Sequence, residues 1–325
     1  MILHISKNTD PALNLAIEER FLRDYEEDVF MLWQNDNTIV VGKNQNTLAE
    51  INLDYVKENG IRVVRRITGG GAVYHDMGNL NFTYITKCNE EWESDFSRFA
   101  TPVISVLRKL GVEAEVSGRN DILASGRKFS GNAQTVVNGR LLHHGTILFN
   151  ADVSVLSKAL TPDPEKVQSK GIKSVSSRVV NLSELLPEAV DAKKLSDLLA
   201  AEVKELYGAS EYELSEEELS KANKLADEKY RTWDWNFGYS PKYTFSKKKR
   251  FEGGSVNALL SVSDGKIEDV KIFGDFFGAG EISDIESALR GKRHSEEEIM
   301  TALSGFRIGN YFGKITAKEL LEVLI

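Results

Sequence analysis

The run Val63-Val64-Arg65-Arg66-Ile67-Thr68-Gly69-Gly70-Gly71-Ala72-Val73-Tyr74-His75-Asp76 constrains this chain more than any other stretch. A β-branched segment ends in two arginines, three glycines follow, and an apolar–polar alternation resumes. Three residues without Cβ let the backbone reach positive φ and approach a ligand closely. The arginines carry forked donors suited to phosphate or carboxylate. Taken alone, the run fits two readings: a glycine turn joining two strands, or an anion-binding loop. No helix pattern follows Gly71, so no helix dipole stands behind the loop. The Walker pattern G-x-x-x-x-G-K-[ST] and a helix-opening G-x-G-x-x-G are both absent. The charge of a bound anion must then be met by Arg65, Arg66 and a cation from elsewhere. Strand alternation lets only one of the two arginines face inward.

Lys128 is the natural distant cation. It lies in Asp121-Ile122-Leu123-Ala124-Ser125-Gly126-Arg127-Lys128-Phe129-Ser130-Gly131, on the leading edge of a hairpin. Arg127 should point to the opposite face from Lys128. The hairpin turn is Asn138-Gly139, flanked by Val136-Val137 and Leu141-Leu142. On the returning strand His143 and His144 face opposite sides, so they cannot ligate one ion together. One is expected in the sheet interior or a pocket, the other in solvent. Cys88 is the one cysteine, which excludes an intramolecular disulfide and a multi-cysteine metal site. No base near it in sequence would activate it, so it reads as a packing residue.

The rest of the chain supplies the frame. Its 325 residues, 41% hydrophobic, suffice for two domains. A net charge of -8 makes duplex nucleic acid an unexpected partner unless a basic patch is local. No apolar run approaches a membrane span, and the start lacks a signal-peptide pattern, so a cytoplasmic protein without a membrane partner is expected. Asp10-Pro11 is a helix start. Leu13, Ala16, Ile17 and Phe21 then fall on one face, with charge on the other. Helical spacing recurs at 153–159 and 192–207, and Ser215…Glu218 forms a capping box. From about residue 242 the pattern restarts: strands near 243–251, 256–262 and 267–273, then helices capped by Ser295 and Thr316. The basic run Lys247-Lys248-Lys249-Arg250 sits in the first of these strands, as an exposed edge or a docking surface for an acidic partner. The fold class is α+β, with mainly antiparallel sheets flanked by helices over 1–241 and a small α+β unit over 242–325.

Arg65-Arg66-Ile67-Thr68-Gly69-Gly70-Gly71-Ala72-Val73-Tyr74-His75-Asp76, Gly118-Arg119-Asn120-Asp121-Ile122, Lys128-Phe129-Ser130-Gly131-Asn132-Ala133 and His144-Gly145-Thr146-Ile147-Leu148 together resemble the lipoate–protein ligase A family, in order and spacing. The resemblance covers essentially the whole chain. It implies a biotin/lipoate ligase-like catalytic domain with a C-terminal accessory domain. It implies that lipoate and ATP, with Mg²⁺ brought by the nucleotide and no dedicated metal site, give lipoyl-AMP and pyrophosphate. The lipoyl group would then pass to a lysine on an acidic acceptor domain of a 2-oxoacid dehydrogenase or a glycine-cleavage H protein. Carried over by position, Lys128 is the catalytic residue. Arg66, Gly69, Gly70, Gly71, Ala72, Val73, Tyr74, Asp121 and Lys128 are the ATP and lipoyl-AMP contacts. Lys128 and His144 are lipoate contacts, and the match favours Arg66 over Arg65 as the inward arginine. Trp33, Val73 and Tyr74 are candidates for lining a dithiolane tunnel, and 42–46 and 169–178 are candidate covers. Two relatives fit less well. Thioester transferases that need no ATP use a cysteine downstream of the lysine motif, and none follows Cys88 here. Biotin ligases carry a G-R-G-R-type loop, also absent. A non-catalytic lipoyl-domain binding module would have little reason to keep Arg66, the glycines and Lys128.

Overall fold

In the computed structural model, residues 1–89, 96–118, 120–160, 178–187, 190–237, 245–263 and 265–325 are described. Arg119, the 169–177 part of the expected cover and the expected 241/242 boundary lie outside them. The strands are β1 (Ile2–Ile5), β2 (Val29–Trp33), β3 (Thr38–Val41), β4 (Arg62–Arg65), β5 (Val73–His75), β6 (Asn79–Lys87), β7 (Ala114–Ser117), β8 (Asp121–Ala124), β9 (Arg127–Val137), β10 (Arg140–Leu148), β11 (Ser210–Glu211), β12 (Phe245–Phe251), β13 (Gly254–Ser263) and β14 (Lys266–Gly274). An eight-stranded sheet runs β11-β1-β2-β6-β10-β9-β8-β7, and a three-stranded sheet runs β4-β3-β5. Pairing in the large sheet is antiparallel except where β1 meets β2 and β11. The β9–β10 turn places Asn138 and Gly139 at φ 50° and 74°, as a two-residue hairpin of this twist requires.

Both faces of the large sheet are covered, so its strands bury alternate side chains into two cores. Phe30, Phe82, Phe129 and Leu141 pack on one face with Val103 and Leu107 of the helix Thr101–Lys109 and Leu199 of the helix Ala192–Tyr207. Met31, Trp33, Ile85 and Leu142 pack on the other with Ala16, Ile17 and Phe21 of helix α1 (Pro11–Asp24). Asp10 caps α1 by accepting from the Ala12 N–H. Part of the expected charged face of α1 is buried: Glu18 and Glu19 are 0% and 2% exposed, while Arg23 and Asp24 are exposed. Glu19 is satisfied by Lys229 at 2.7 Å, the Tyr230 hydroxyl at 2.5 Å and Arg23 at 2.8 Å. Arg23 is one turn along the same helix, but Lys229 and Tyr230 come from the far end of the domain, which local spacing cannot announce.

The C-terminal unit has its own core. Val256, Leu260, Ile272, Phe276, Leu289, Phe312 and Leu320 cluster between the sheet β12-β13-β14 and its helices. Ser295 and Thr316 cap two of these helices, as expected. A third helix, Ile282–Leu289, has no side-chain cap bond, so no start signal marked it in the sequence. The unit meets the rest of the chain at the loop after β3. The Gly274 N–H donates to the Asn44 carbonyl at 2.7 Å, and Lys43 Nζ lies 3.0 Å from Glu281 Oε1. The basic run occupies the edge strand β12, and three of its cations have partners within the unit: Lys247 the Ile325 carbonyl, Lys249 Glu322, and Arg250 Asp275.

Candidate active site

Strand β4 ends at Arg65. Both arginines are buried, 5% and 6% exposed, but they face different surroundings, and it is Arg66, not Arg65, that reaches the glycine loop and the cavity beside it. They do different work. Arg65 donates to the carbonyls of Gly42, Lys43, Gln45, Trp235 and Asn236 and to Thr47 Oγ1, all within 3.1 Å. It pins the loop after β3 to the helix Trp233–Phe237, so Gly42 to Gln45 is a clamped wall rather than a movable cover. Arg66 turns into the glycine loop. Its Nε donates to Thr68 Oγ1 at 2.9 Å, Nη1 to the Val40 carbonyl at 3.1 Å, and Nη2 to the Gly69 and Gly71 carbonyls at 2.6 and 2.8 Å. Burial pulls its pKa down to about 10, still well above neutrality, so it stays charged.

These bonds give the loop its shape. Among the described residues no peptide bond is cis, and in a trans peptide N–H and C=O point opposite ways. With the Gly69 and Gly71 carbonyls held on Arg66, the N–H groups of Gly70 and Ala72 face away from the guanidinium. Gly70 sits at φ 92°, a conformation that favours glycine.

A cavity of about 150 Å³ opens beside the loop. Its walls include Leu15, Trp33, Val40, Val73 and Ala133, the backbone of Gly70 to Ala72, and Arg66, Lys128 and His144. Lys128 is on β9, where the register skips Phe129 and sets Lys128 opposite Leu123. Its Nζ lies 2.6 Å from Asp121 Oδ1 and remains one-third exposed. Gly131 clears its path, since a Cβ there would lie 2.9 Å from Nζ. Arg127 points elsewhere, 3.8 Å from Glu184. Three positions expected at the site stand back from the cavity: Asp121, which meets it only through Lys128, and Tyr74 and Gly69. The Tyr74 hydroxyl donates to Asn37 Oδ1 at 3.0 Å. Gly69 packs against the C-terminal unit, where a Cβ would come within 2.5 Å of the Phe276 carbonyl.

The two histidines occupy opposite faces of β10, but neither reaches solvent, at 0% and 8% exposed. His143 stacks on Phe99 with ring centroids 4.8 Å apart and is held between Gln134 and Asn132. Burial keeps its pKa well below the usual histidine value. His144 lines the cavity within a network that local sequence does not reveal. Arg66 Nε and Trp33 Nε1 can only donate and the Glu18 carboxylate can only accept, so His144 Nδ1 carries a hydrogen and, in the neutral ring, Nε2 accepts. Thr68 Oγ1 accepts from Arg66 and donates to His144 Nε2 at 2.8 Å. His144 Nδ1–H then donates to Glu18 Oε1 at 2.8 Å. Thr83 Oγ1 accepts from Trp33 at 2.9 Å and donates to the same Glu18 oxygen at 2.6 Å. Glu18 was missed as a site residue; Leu15 and Leu22, three before and four after it, are the signal that it lies on a buried stripe. Cys88 is half-buried against the core and lies outside the cavity. Among the described residues, no helix is long and apolar enough to cross a membrane.

The chain has relatives that match this arrangement. Residues 10–204 match the family described as the lipoyl protein ligase A/B catalytic domain, and residues 240–324 the bacterial lipoate protein ligase C-terminus. The chain is 45% identical to the lipoate-protein ligase LplJ of Bacillus subtilis, over 97% of each chain. It is similar to the crystal structure of P. falciparum LipL1 in complex with lipoate, at 29% identity and TM-score 0.79, over 99% of this chain and 98% of that one. It is also similar to a lipoate-protein ligase A bound with ATP, at 28% identity and TM-score 0.62, over 74% of this chain and 98% of that one. With both family models matched and this identity over nearly the whole of each chain, the chain belongs to the lipoate–protein ligase family.

Proposed function

We propose that the chain activates lipoate with ATP and transfers the lipoyl group to a lysine of an acceptor protein. One observation carries the reading: a cavity with an apolar end has one exposed cation, Lys128, beside the glycine loop. Activation must bring two anions together, the lipoate carboxylate and the α-phosphate. The carboxylate oxygen attacks phosphorus, and pyrophosphate leaves. Lys128 Nζ offsets the repulsion and follows the charge into the transition state, with Asp121 holding it until the ligands arrive. Arg66 spends most of its donors on the loop, so its main role is to present the Gly70 and Ala72 N–H groups, with Gly71 and Val73 beside them, to the nucleotide. Gly69 and Tyr74 act one step back, fixing the two ends of that loop. His144 borders the lipoate chain. In the second step the acceptor lysine amine attacks the acyl carbon and AMP leaves.

Mg²⁺ would arrive as a companion of the triphosphate and neutralise the leaving pyrophosphate, since among the described residues no cluster of acidic or histidine side chains forms a dedicated metal site. The acceptor surface is acidic in this reading, which the cationic edge strand β12 complements. The domain boundary is placed at 241/242. A cysteine-thioester transferase is disfavoured because Cys88 lies outside the cavity. The test is lipoate-dependent ATP–pyrophosphate exchange. It should be lost by at least about 10²-fold in Lys128→Ala and retained in Cys88→Ala. Absence of exchange in the wild type, with acyl transfer that depends on Cys88, overturns the reading.

A further inference from the structure

Beside the apolar side chains of Leu15, Trp33 and Val40, the cavity wall carries several buried polar groups. His75 and Asn81 both line it and are 3% and 1% exposed. His75 Nε2 and Asn81 Nδ2 are buried without a hydrogen-bond partner. Unpaired buried donors are rare and costly, and two on one small cavity call for a ligand that can accept.

The surroundings place the proton on His75. The Gln34 carbonyl can only accept, so it is Nδ2 of Asn14 that donates to it, at 2.8 Å. The same Nδ2 donates to Asn35 Oδ1 at 3.0 Å. That leaves Asn35 Nδ2 to donate to His75 Nδ1 at 3.2 Å, and the ring hydrogen resides on Nε2. Burial, with Arg66 and His144 nearby, pulls the His75 pKa down to about 3, so the ring keeps this form at neutral pH. Asn81 Oδ1 accepts from Asn79 at 2.9 Å, which leaves its Nδ2 unpaired. Exposure along the walls identifies the mouth. The Lys128 side chain is 35% exposed, whereas Leu15, Trp33 and Val40 are 1%, 3% and 1% exposed. A carboxylate held at Lys128 therefore sends the far end of a linear acid toward His75 and Asn81.

Resting on the lipoate ligase reading, we propose that His75 Nε2–H and Asn81 Nδ2–H are specificity-determining donors that meet the sulfur atoms of the dithiolane ring. Divalent sulfur accepts weak hydrogen bonds. A methylene in its place accepts none and leaves both donors desolvated and unpaired, which is how a polar site rejects an apolar isostere. The selection is thus by hydrogen bonding and not by ring shape.

The test compares kcat/KM for adenylation of lipoate, octanoate and 5-cyclopentylpentanoate, the last having the ring and chain of lipoate without sulfur. The wild type should prefer lipoate over the cyclopentyl acid by about tenfold or more, equal to about 1.4 kcal/mol. His75→Leu and Asn81→Leu should each bring that ratio down toward one. His75→Gln, whose Nε2 keeps a donor near the same place, should retain it. Where His75→Leu does not fold, judged by its thermal transition without ligand, Asn81→Leu decides in the same way. A wild-type ratio near one, or a ratio unmoved by the leucine variants, overturns the proposal. Adenylation with none of the three acids overturns the ligase reading instead.

Discussion

Gly42→Ala isolates the contact that holds the glycine loop in place. A Cβ at Gly42 would lie 2.0 Å from the Gly70 carbonyl oxygen, where real Cβ atoms keep 3.0 Å or more. The obstacle is backbone, so no rotamer can relieve it, and Gly70 must withdraw by about 1 Å. Gly42 is not among the residues at positive φ, so alanine brings no conformational strain of its own. Nor can Gly42 retreat easily, because its carbonyl is held by Arg65 at 2.9 Å and its N–H by Gln45 Oε1 at 2.8 Å. The strain falls on Gly70, whose flanking carbonyls are the two that Arg66 binds. A misplacement of about 1 Å at a reacting centre costs on the order of 10²-fold in rate. The assay is kcat/KM for lipoate-dependent pyrophosphate exchange, with the ligand-free thermal transition as the control for folding. Gly71→Ala is the contrast, since a Cβ there meets nothing within 4 Å, and it should cost far less. Exchange within threefold of wild type for Gly42→Ala, with an unchanged transition, would refute the argument that this contact positions the nucleotide loop.

Three further outcomes follow from the geometry. Glu18→Ala leaves the His144 Nδ1–H and the Thr83 hydroxyl without their acceptor, at about 1–3 kcal/mol each; a urea midpoint unchanged from wild type would contradict this, and Glu18→Gln, which keeps one acceptor oxygen, should recover most of the loss. Acid should destabilise the protein through His75. Between its unfolded value of 6.5 and its folded value of about 3, only the unfolded chain binds the proton, so stability falls as pH drops through that window, by up to about 1.4 kcal/mol per pH unit. His75→Gln should flatten that slope, and equal slopes for the two proteins would exclude the assignment. Replacing Lys247, Lys248 and Lys249 by glutamine should leave adenylation intact and slow transfer to acceptor at low ionic strength; unchanged transfer there would return the run to an ordinary exposed edge.

Local patterns were legible where the interaction that forms them is itself local. The Asp10 cap, the Asn138-Gly139 turn and the capping boxes at Ser215 and Thr316 all close within a few residues. So was the opposition of Arg127 and Lys128, which needs only strand alternation. Failures cluster where burial comes from afar. Alternation named one arginine for the site, and Arg66 does line the cavity, but it did not show that Arg65 is equally buried elsewhere. His144 read as a residue for pocket or solvent, and Glu18 drew no reading of its own, because the contact that buries both is between α1 and β10, 126 residues apart.

The sequence by itself determined the family, the two-unit α+β organisation and the pairing of a glycine loop with a lysine hairpin, since motif order and spacing are properties of the chain. The tertiary structure alone decided what each cation does. Arg65 is a clamp and Arg66 the core of the loop because the carbonyls around them come from β3, the loop after it and a helix near residue 235. It alone also set His75 and Asn81 at the apolar end of the cavity with donors unspent. Whether a polar group is satisfied depends on every neighbour in space, and neighbours in space are what a linear sequence leaves unstated.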